Sequence, residues 1–176
     1  MSVFDGEMIR LTHVQRESLP AFMRWFRDYE IQSLLDVNVI VPVTDEMEQE
    51  YYEHVTRKSD DEFHFSIRTL EGDHLIGNCS LFGVNHKNRS AEFGIVIGEK
   101  EYWGKGYGSD AARVILRFAF EEVNLNRVQL EVFGYNTRAI RSYEKVGFVR
   151  EGVRREAVFR AGKYHDVIVM AVLRER

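Results

Sequence analysis

Two spacings of apolar residues alternate along this chain, and each switch between them marks a new element. Leu19, Phe22, Met23 and Phe26 recur at helical spacing, which predicts a helix over residues 17–29 after a short strand at 8–13. Thr44 and Asp45 provide a cap and first-turn acids for a second helix running to residue 58. Alternating apolar positions then predict strands at Phe63–Thr69, 75–82 and Ser90–Ile97, the first two joined by a turn at Glu71, Gly72 and Asp73. Ala112, Ile115, Leu116, Ala119 and Val123 form one stripe of a helix over 109–123, with Asp110, Arg113, Arg117 and Glu121 opposite. Arg127–Phe133 alternates again, residues 136–146 return to helical spacing, and Gly147 stands where a left-handed cap belongs. Strands at 149–159 and 164–173 close the chain as a hairpin about Ala161 and Gly162.

The connection into the 109–123 helix holds the densest chemical signal. Trp103, Gly104, Lys105, Gly106, Tyr107 and Gly108 place three glycines at alternating positions immediately before a helix. Glycine lets backbone approach a ligand without a Cβ, and the free N–H groups of a helix's first turn attract an anion, phosphate above all. A Walker loop is excluded, because Gly104 and Lys105 are followed by Gly106 and position 99 is Glu. A dinucleotide fingerprint would need glycine at Ser109, although Glu131 could imitate its ribose-binding acid; a purely structural glycine turn is the other alternative.

Further on, Asn136, Ala139, Ile140 and Tyr143 share one helical stripe, directing an amide and a phenol to the same side. Read without context, they are a helix cap and a packed tyrosine. With the glycine loop, however, residues 103–108 and 136–148 resemble the acyl-CoA signature of the GNAT family of N-acetyltransferases. The first position of the loop departs from the family's usual Gln or Arg; tryptophan there is similar to the branch that acetylates ribosomal-protein N-termini and related amines, including polyamines. A weaker likeness runs over nearly the whole chain.

The resemblance implies a single α+β domain over residues 1–176: a mixed, mostly antiparallel sheet with helices on both faces, its strands splayed beside the glycine loop to admit acetyl-CoA. It further implies cofactor contacts at Val96, Ile97, Trp103, Gly104, Lys105, Gly106, Tyr107, Gly108, Ser109, Asn136, Ala139, Tyr143 and Lys145, with Tyr143 as general acid. Arg141 is a further candidate for a phosphate. Glu92 is the candidate base or water-ordering carboxylate, on a strand where Gly94 leaves room beside it. His13, His64 and His165 are alternatives with suitable intrinsic pKa. The implied reaction is direct attack by an amine in a ternary complex, the acceptor being a protein N-terminus or a polyamine-like amine. The 31–43 connector would border the acceptor, opposite the hairpin about Gly162, with Asp36, Glu156 and Asp166 as candidate carboxylates. A non-catalytic acyl-CoA sensor and an aminoglycoside-type acetyltransferase are the alternatives, and homodimers are common in the family.

Chemistry narrows these roles. An amine of pKa about 10.4 is neutral to the extent of only about one part in a thousand at pH 7, so a proton acceptor is required. The departing thiolate, pKa about 8.5, calls for a donor, which a phenol near pKa 10 can be. Composition adds bounds. The 176 residues are 44% hydrophobic and 30% charged, with a net charge of −4, ordinary for a globular enzyme and poorly suited to nucleic acid. No apolar run reaches membrane length, and the single cysteine, Cys79, excludes an internal disulfide, which points to the cytoplasm. Cys79 reads as a small core residue. The six histidines show no local ligand spacing, so no metal is expected.

Overall fold

The computed structural model describes residues 2–175. Among these residues seven strands make one sheet: β1 (Ile9–Thr12), β2 (Phe63–Thr69), β3 (Leu75–Asn85), β4 (Ser90–Ile97), β5 (Arg127–Phe133), β6 (Val149–Arg160) and β7 (Lys163–Leu173). Their order across the sheet is β1-β2-β3-β4-β5-β7-β6, antiparallel except between β4 and β5. The expected mixed sheet is therefore present.

Among the described residues there are five α-helices: α1 (Leu19–Phe26), α2 (Tyr29–Leu35), α3 (Asp45–Thr56), α4 (Tyr107–Glu121) and α5 (Thr137–Val146). The expected order contained one helix fewer, because residues 17–29 and the start of the 31–43 connector were assigned otherwise. Asp28 is the reason. Its extended backbone breaks the first helix, and its side chain accepts hydrogen bonds from the N–H groups of Glu30 and Ile31, starting α2. Thr44 caps α3 through the N–H of Met47, and Gly147 ends α5 at φ 105°, as their positions predicted. Strand β3 extends beyond residue 82 through a bulge that includes Gly83 at φ 59°.

Alternation along β4 assigns its two faces to different helices. Ala91, Phe93, Ile95 and Ile97 pack in the cluster that holds α4, while Val96 joins α1, α2 and α3 through Phe22, Trp25, Ile31 and Val55. At the strand's end the fit against α1 is close. A Cβ on Gly98 would come within 1.9 Å of the Trp25 ring, so α1 is seated directly beside the glycine loop.

The parallel β4–β5 pairing covers only Ser90–Arg127, Ala91–Val128 and Glu92–Gln129. Beyond Glu92 the two strands part, although both continue. This splay opens the sheet at its centre.

Candidate active site

A cleft of about 640 Å³ fills the opening between β4 and β5. Its walls include Phe93, Ile95 and Ile97 from one face of β4 and Glu92, Gly94 and Val96 from the other. It thus passes through the sheet, from the α4–α5 side to the α1–α3 side. Glu92 stands in the last paired row, at the apex of the splay.

On the α4–α5 side the glycine loop has the form its sequence predicted. Gly104 and Gly106 adopt φ 71° and 94°, values that favour glycine, and Gly106 precedes the first residue of α4. The N–H of Asp110 bonds to the carbonyl of Gly106 at 2.9 Å, leaving the preceding first-turn N–H groups as donors for an anion. Gly108 borders the cleft: a Cβ there would sit 3.7 Å from Ile97 Cγ1 and 4.0 Å from Ser142 Oγ. Ser109 and Ser142 hydroxyls are 2.7 Å apart and tie α4 to α5.

Trp103 fastens the loop to the sheet. Its indole N–H donates to the carbonyl of Ile97 at 2.6 Å, and the Arg138 guanidinium lies 3.7 Å from the ring centroid. Burial lowers the pKa of Arg138, opposed by the charge of Glu30. With Arg141 and Lys145, Arg138 gives this end of the cleft three cationic side chains. Tyr143 packs edge-on against Phe93, with ring centroids 6.2 Å apart, and burial raises its pKa to about 12. Asn136 lines the cleft while its Oδ1 accepts from the N–H of Ala139 at 3.3 Å, so it is a helix cap and a wall residue at once.

The α1–α3 side differs. Ile31, Leu34, Leu35, Val37 and Phe82 make an apolar wall, joined by Glu92 and Glu131; Glu131 is already paired with Arg154.

Comparison with known proteins decides the family. Residues 9–149 match the model described as the acetyltransferase (GNAT) domain. The spermidine N(1)-acetyltransferase of Escherichia coli K12 is 32% identical over 172 residues, covering 98% of this chain and 84% of that protein. That of Vibrio cholerae is 35% identical over 132 residues, covering 75% and 74%. The crystal structure of the Vibrio cholerae spermidine N-acetyltransferase, in complex with CoA and spermine, superposes with a TM-score of 0.83 at 31% identity, over 94% of this chain and 95% of that one. The chain belongs to the GNAT acetyltransferase family. It transfers an acetyl group from acetyl-CoA to an amine.

The acetyltransferase's cleft suits that donor. Free helix N–H groups and three cations would suit phosphates, and the apolar flank of β4 a hydrocarbon arm. Of the cofactor residues expected from sequence, Val96, Ile97, Trp103, Gly104, Gly106, Gly108, Ser109, Asn136, Ala139, Tyr143 and Lys145 all line it. Lys105 and Tyr107 are outside its lining; Tyr107 instead packs edge-on against Tyr102, with ring centroids 5.0 Å apart. Arg138, Phe82 and Tyr102 line it without having been expected. Arg138 was within reach of sequence reasoning, since it falls in the first turn of a helix already assigned to the cofactor.

On the acceptor side the connector contributes Ile31, Leu34, Leu35 and Val37, but the hairpin about Gly162 contributes nothing to the lining. Its Arg160 bonds to the carbonyls of Asp36 and Asn38, so it braces the connector from outside. Asp36, Glu156 and Asp166 likewise fall outside; the carboxylate of Asp166 accepts from the N–H of Glu156 at 2.9 Å. His13, His64 and His165 are not among the cleft residues. Cys79 is buried, and that burial pushes its thiol well above the ordinary range, which excludes a nucleophilic role.

Proposed function

We propose that this acetyltransferase acts on a primary amine that carries one cationic nitrogen next to an apolar segment, of which a peptide N-terminus with an apolar side chain is the best-fitting class. The carrying observation is the acceptor wall: Ile31, Leu34, Leu35, Val37 and Phe82 line the cleft together with Glu92, and the other carboxylate, Glu131, is engaged by Arg154. A polyamine brings a second ammonium, whose desolvation against this wall would cost several kcal/mol without a free carboxylate to receive it. The comparison proteins named for spermidine support a small-amine reading of the same cleft, so both classes belong in the test.

Glu92 and Tyr143 approach the cleft from opposite faces of the sheet, which supports a division of labour. The carboxylate at the apex accepts, directly or through water, the proton of the ammonium. The amine then attacks the thioester carbonyl; the C–N bond forms, the C–S bond breaks, and the proton shed by the new amide nitrogen neutralises the departing thiolate, to which the phenol donates a hydrogen bond as charge builds there. A pKa of about 12 keeps Tyr143 protonated throughout the working range. It also makes Tyr143 a weaker acid than the phenol near 10 expected from sequence, so its part is donation to the developing thiolate ahead of full proton loss. With the lone cysteine buried and no disulfide, the cytoplasm is the compartment this reading assigns.

A panel of peptides with apolar and polar first residues, spermidine, spermine and an aminoglycoside, followed by thiol release and product mass, tests the proposal. The expected result is highest kcat/KM for peptides with an apolar first residue. A preference of tenfold or more for a polyamine would overturn it.

A further inference from the structure

Away from the cleft, α3 and the approach to β2 bring together three groups that no local spacing in the sequence connects. His54 lies in the last turn of α3, Glu62 immediately precedes β2, and His64 is its second residue. Nε2 of His54 is 2.9 Å and Nε2 of His64 3.1 Å from the same Oε2 of Glu62. All three donor atoms fall within 4.8 Å of one another, and the two imidazoles meet edge to face, 67° apart.

We propose that His54, Glu62 and His64 form a binding site for zinc or a chemically similar late first-row divalent cation. Two imidazoles and a carboxylate are a ligand set that zinc accepts, with one position left for water. Bonds of about 2.0–2.1 Å at tetrahedral angles set neighbouring donors about 3.3 Å apart. The separations of 2.9 and 3.1 Å therefore need to grow by only a few tenths of an ångström. His64 and Glu62 are largely enclosed, while His54 is 56% exposed and leaves a route for entry and a water ligand. Its place at the C-terminal end of α3 favours a positive charge electrostatically.

Proton bookkeeping closes without another reactant. In the cation-free state Nε2 of His64, facing an acceptor-only carboxylate, donates to Glu62, while Nε2 of His54 meets the same oxygen as a close polar contact. On binding, each ring holds its proton at Nδ1 and offers the Nε2 lone pair, so both imidazoles stay neutral.

The cation would fasten the end of α3 to β2, reinforcing the seat that Tyr51 already makes by accepting from Asn78 Nδ2 at 2.7 Å. His64 pairs across the sheet with Ser80, and Ser80 with Gly94 of the cleft wall.

Chelator-treated protein titrated with ZnCl2 by calorimetry, and with CoCl2 by visible absorption, tests the site. One equivalent should bind, with the visible bands of four-coordinate cobalt and a rise in Tm. His54→Gln, at an exposed position, and His64→Gln should each weaken binding at least tenfold, while His86→Gln should leave it unchanged. Circular dichroism of each metal-free variant checks the fold. Absence of saturable binding to the wild type, or wild-type affinity in folded His54→Gln, would overturn the proposal.

Discussion

In the proposed mechanism, Tyr143 and Glu92 divide the reaction's proton traffic between two environments. Burial against Phe93 and Phe148 disfavours the phenolate, which is why the Tyr143 pKa is raised to about 12. A raised pKa means that the protonated donor is present below it, and that the stability linked to burying a neutral phenol is lost as pH rises from about 10 toward 12. Steady-state kcat should accordingly show no descending limb from this residue up to pH 10. Tyr143→Phe should lower kcat by about 10²-fold with little change in the KM for acetyl-CoA; a kcat within twofold of wild type would reduce the phenol to packing. Glu92 is the complementary case. Glu92→Gln keeps its shape and removes its basicity, so the acidic limb of the kcat/KM profile should disappear while calorimetry finds acetyl-CoA affinity unchanged. The place of these two residues on the cleft was legible in the sequence, because one lies on a helical stripe with Asn136 and the other beside Gly94 on an alternating strand. Arg138 was legible only as a first-turn residue of that helix; its stacking on Trp103, thirty-five positions away in the chain, was not. The cluster of His54, Glu62 and His64 was hidden for the same reason: a helix end and a strand start bring its members together.

At the scale of elements, the cradle works because glycine serves different needs at neighbouring positions. Gly106 is fixed by its backbone, at φ 94°, and a Cβ there would meet Met8 Cε at 3.2 Å, so a side chain at this position strains the loop before it touches any ligand. Gly108 lies within α4 with no such backbone demand, and its missing Cβ would face Ile97 and Ser142 across ordinary contact distances. Gly108→Val is therefore the cleaner probe of the cradle. It should weaken acetyl-CoA binding at least tenfold, about 1.4 kcal/mol, without a comparable fall in Tm. Equal affinity in a folded variant would remove the 103–108 backbone from the binding site. Strand and helix types were readable wherever the periodicity ran long, as in α4 and α5. The break between α1 and α2 was not, because apolar spacing carries through Phe26 while a single Asp28 cap decides the backbone. The hairpin about Gly162 was assigned to the acceptor groove, yet bracing by Arg160 is what it contributes. Periodicity reveals that a hairpin exists and says nothing of which surface its tip reaches.

Over the whole molecule, the sheet is two sections joined at one narrow place. Strands β1 to β4 form one antiparallel section and β5, β7 and β6 the other, with only three parallel rows between Ser90–Glu92 and Arg127–Gln129 joining them. Helices α4 and α5 span the same join, linked by the Ser109–Ser142 hydrogen bond. A further clasp holds the N-terminal strand to α4: the buried carboxylate of Asp110 accepts from the N–H groups of Glu7, Met8 and Ile9 at 3.1, 2.8 and 3.1 Å. The cost of this design is an open centre, where β4 and β5 run on without each other's backbone hydrogen bonds. A ligand that fills the splay touches β4, α4 and α5 together and so binds the folded state alone. At a hundred times its Kd such a ligand stabilises by about 2.7 kcal/mol. For a chain of this length that corresponds to a rise in Tm of roughly 5–11 °C. Acetyl-CoA and CoA should both produce it, and Gly108→Val should abolish most of it at the same concentration, because the rise depends on occupancy of the cradle. A thermal scan in which saturating acetyl-CoA leaves the wild-type Tm unmoved would mean that the cleft between β4 and β5 is not where the cofactor bridges the two sections.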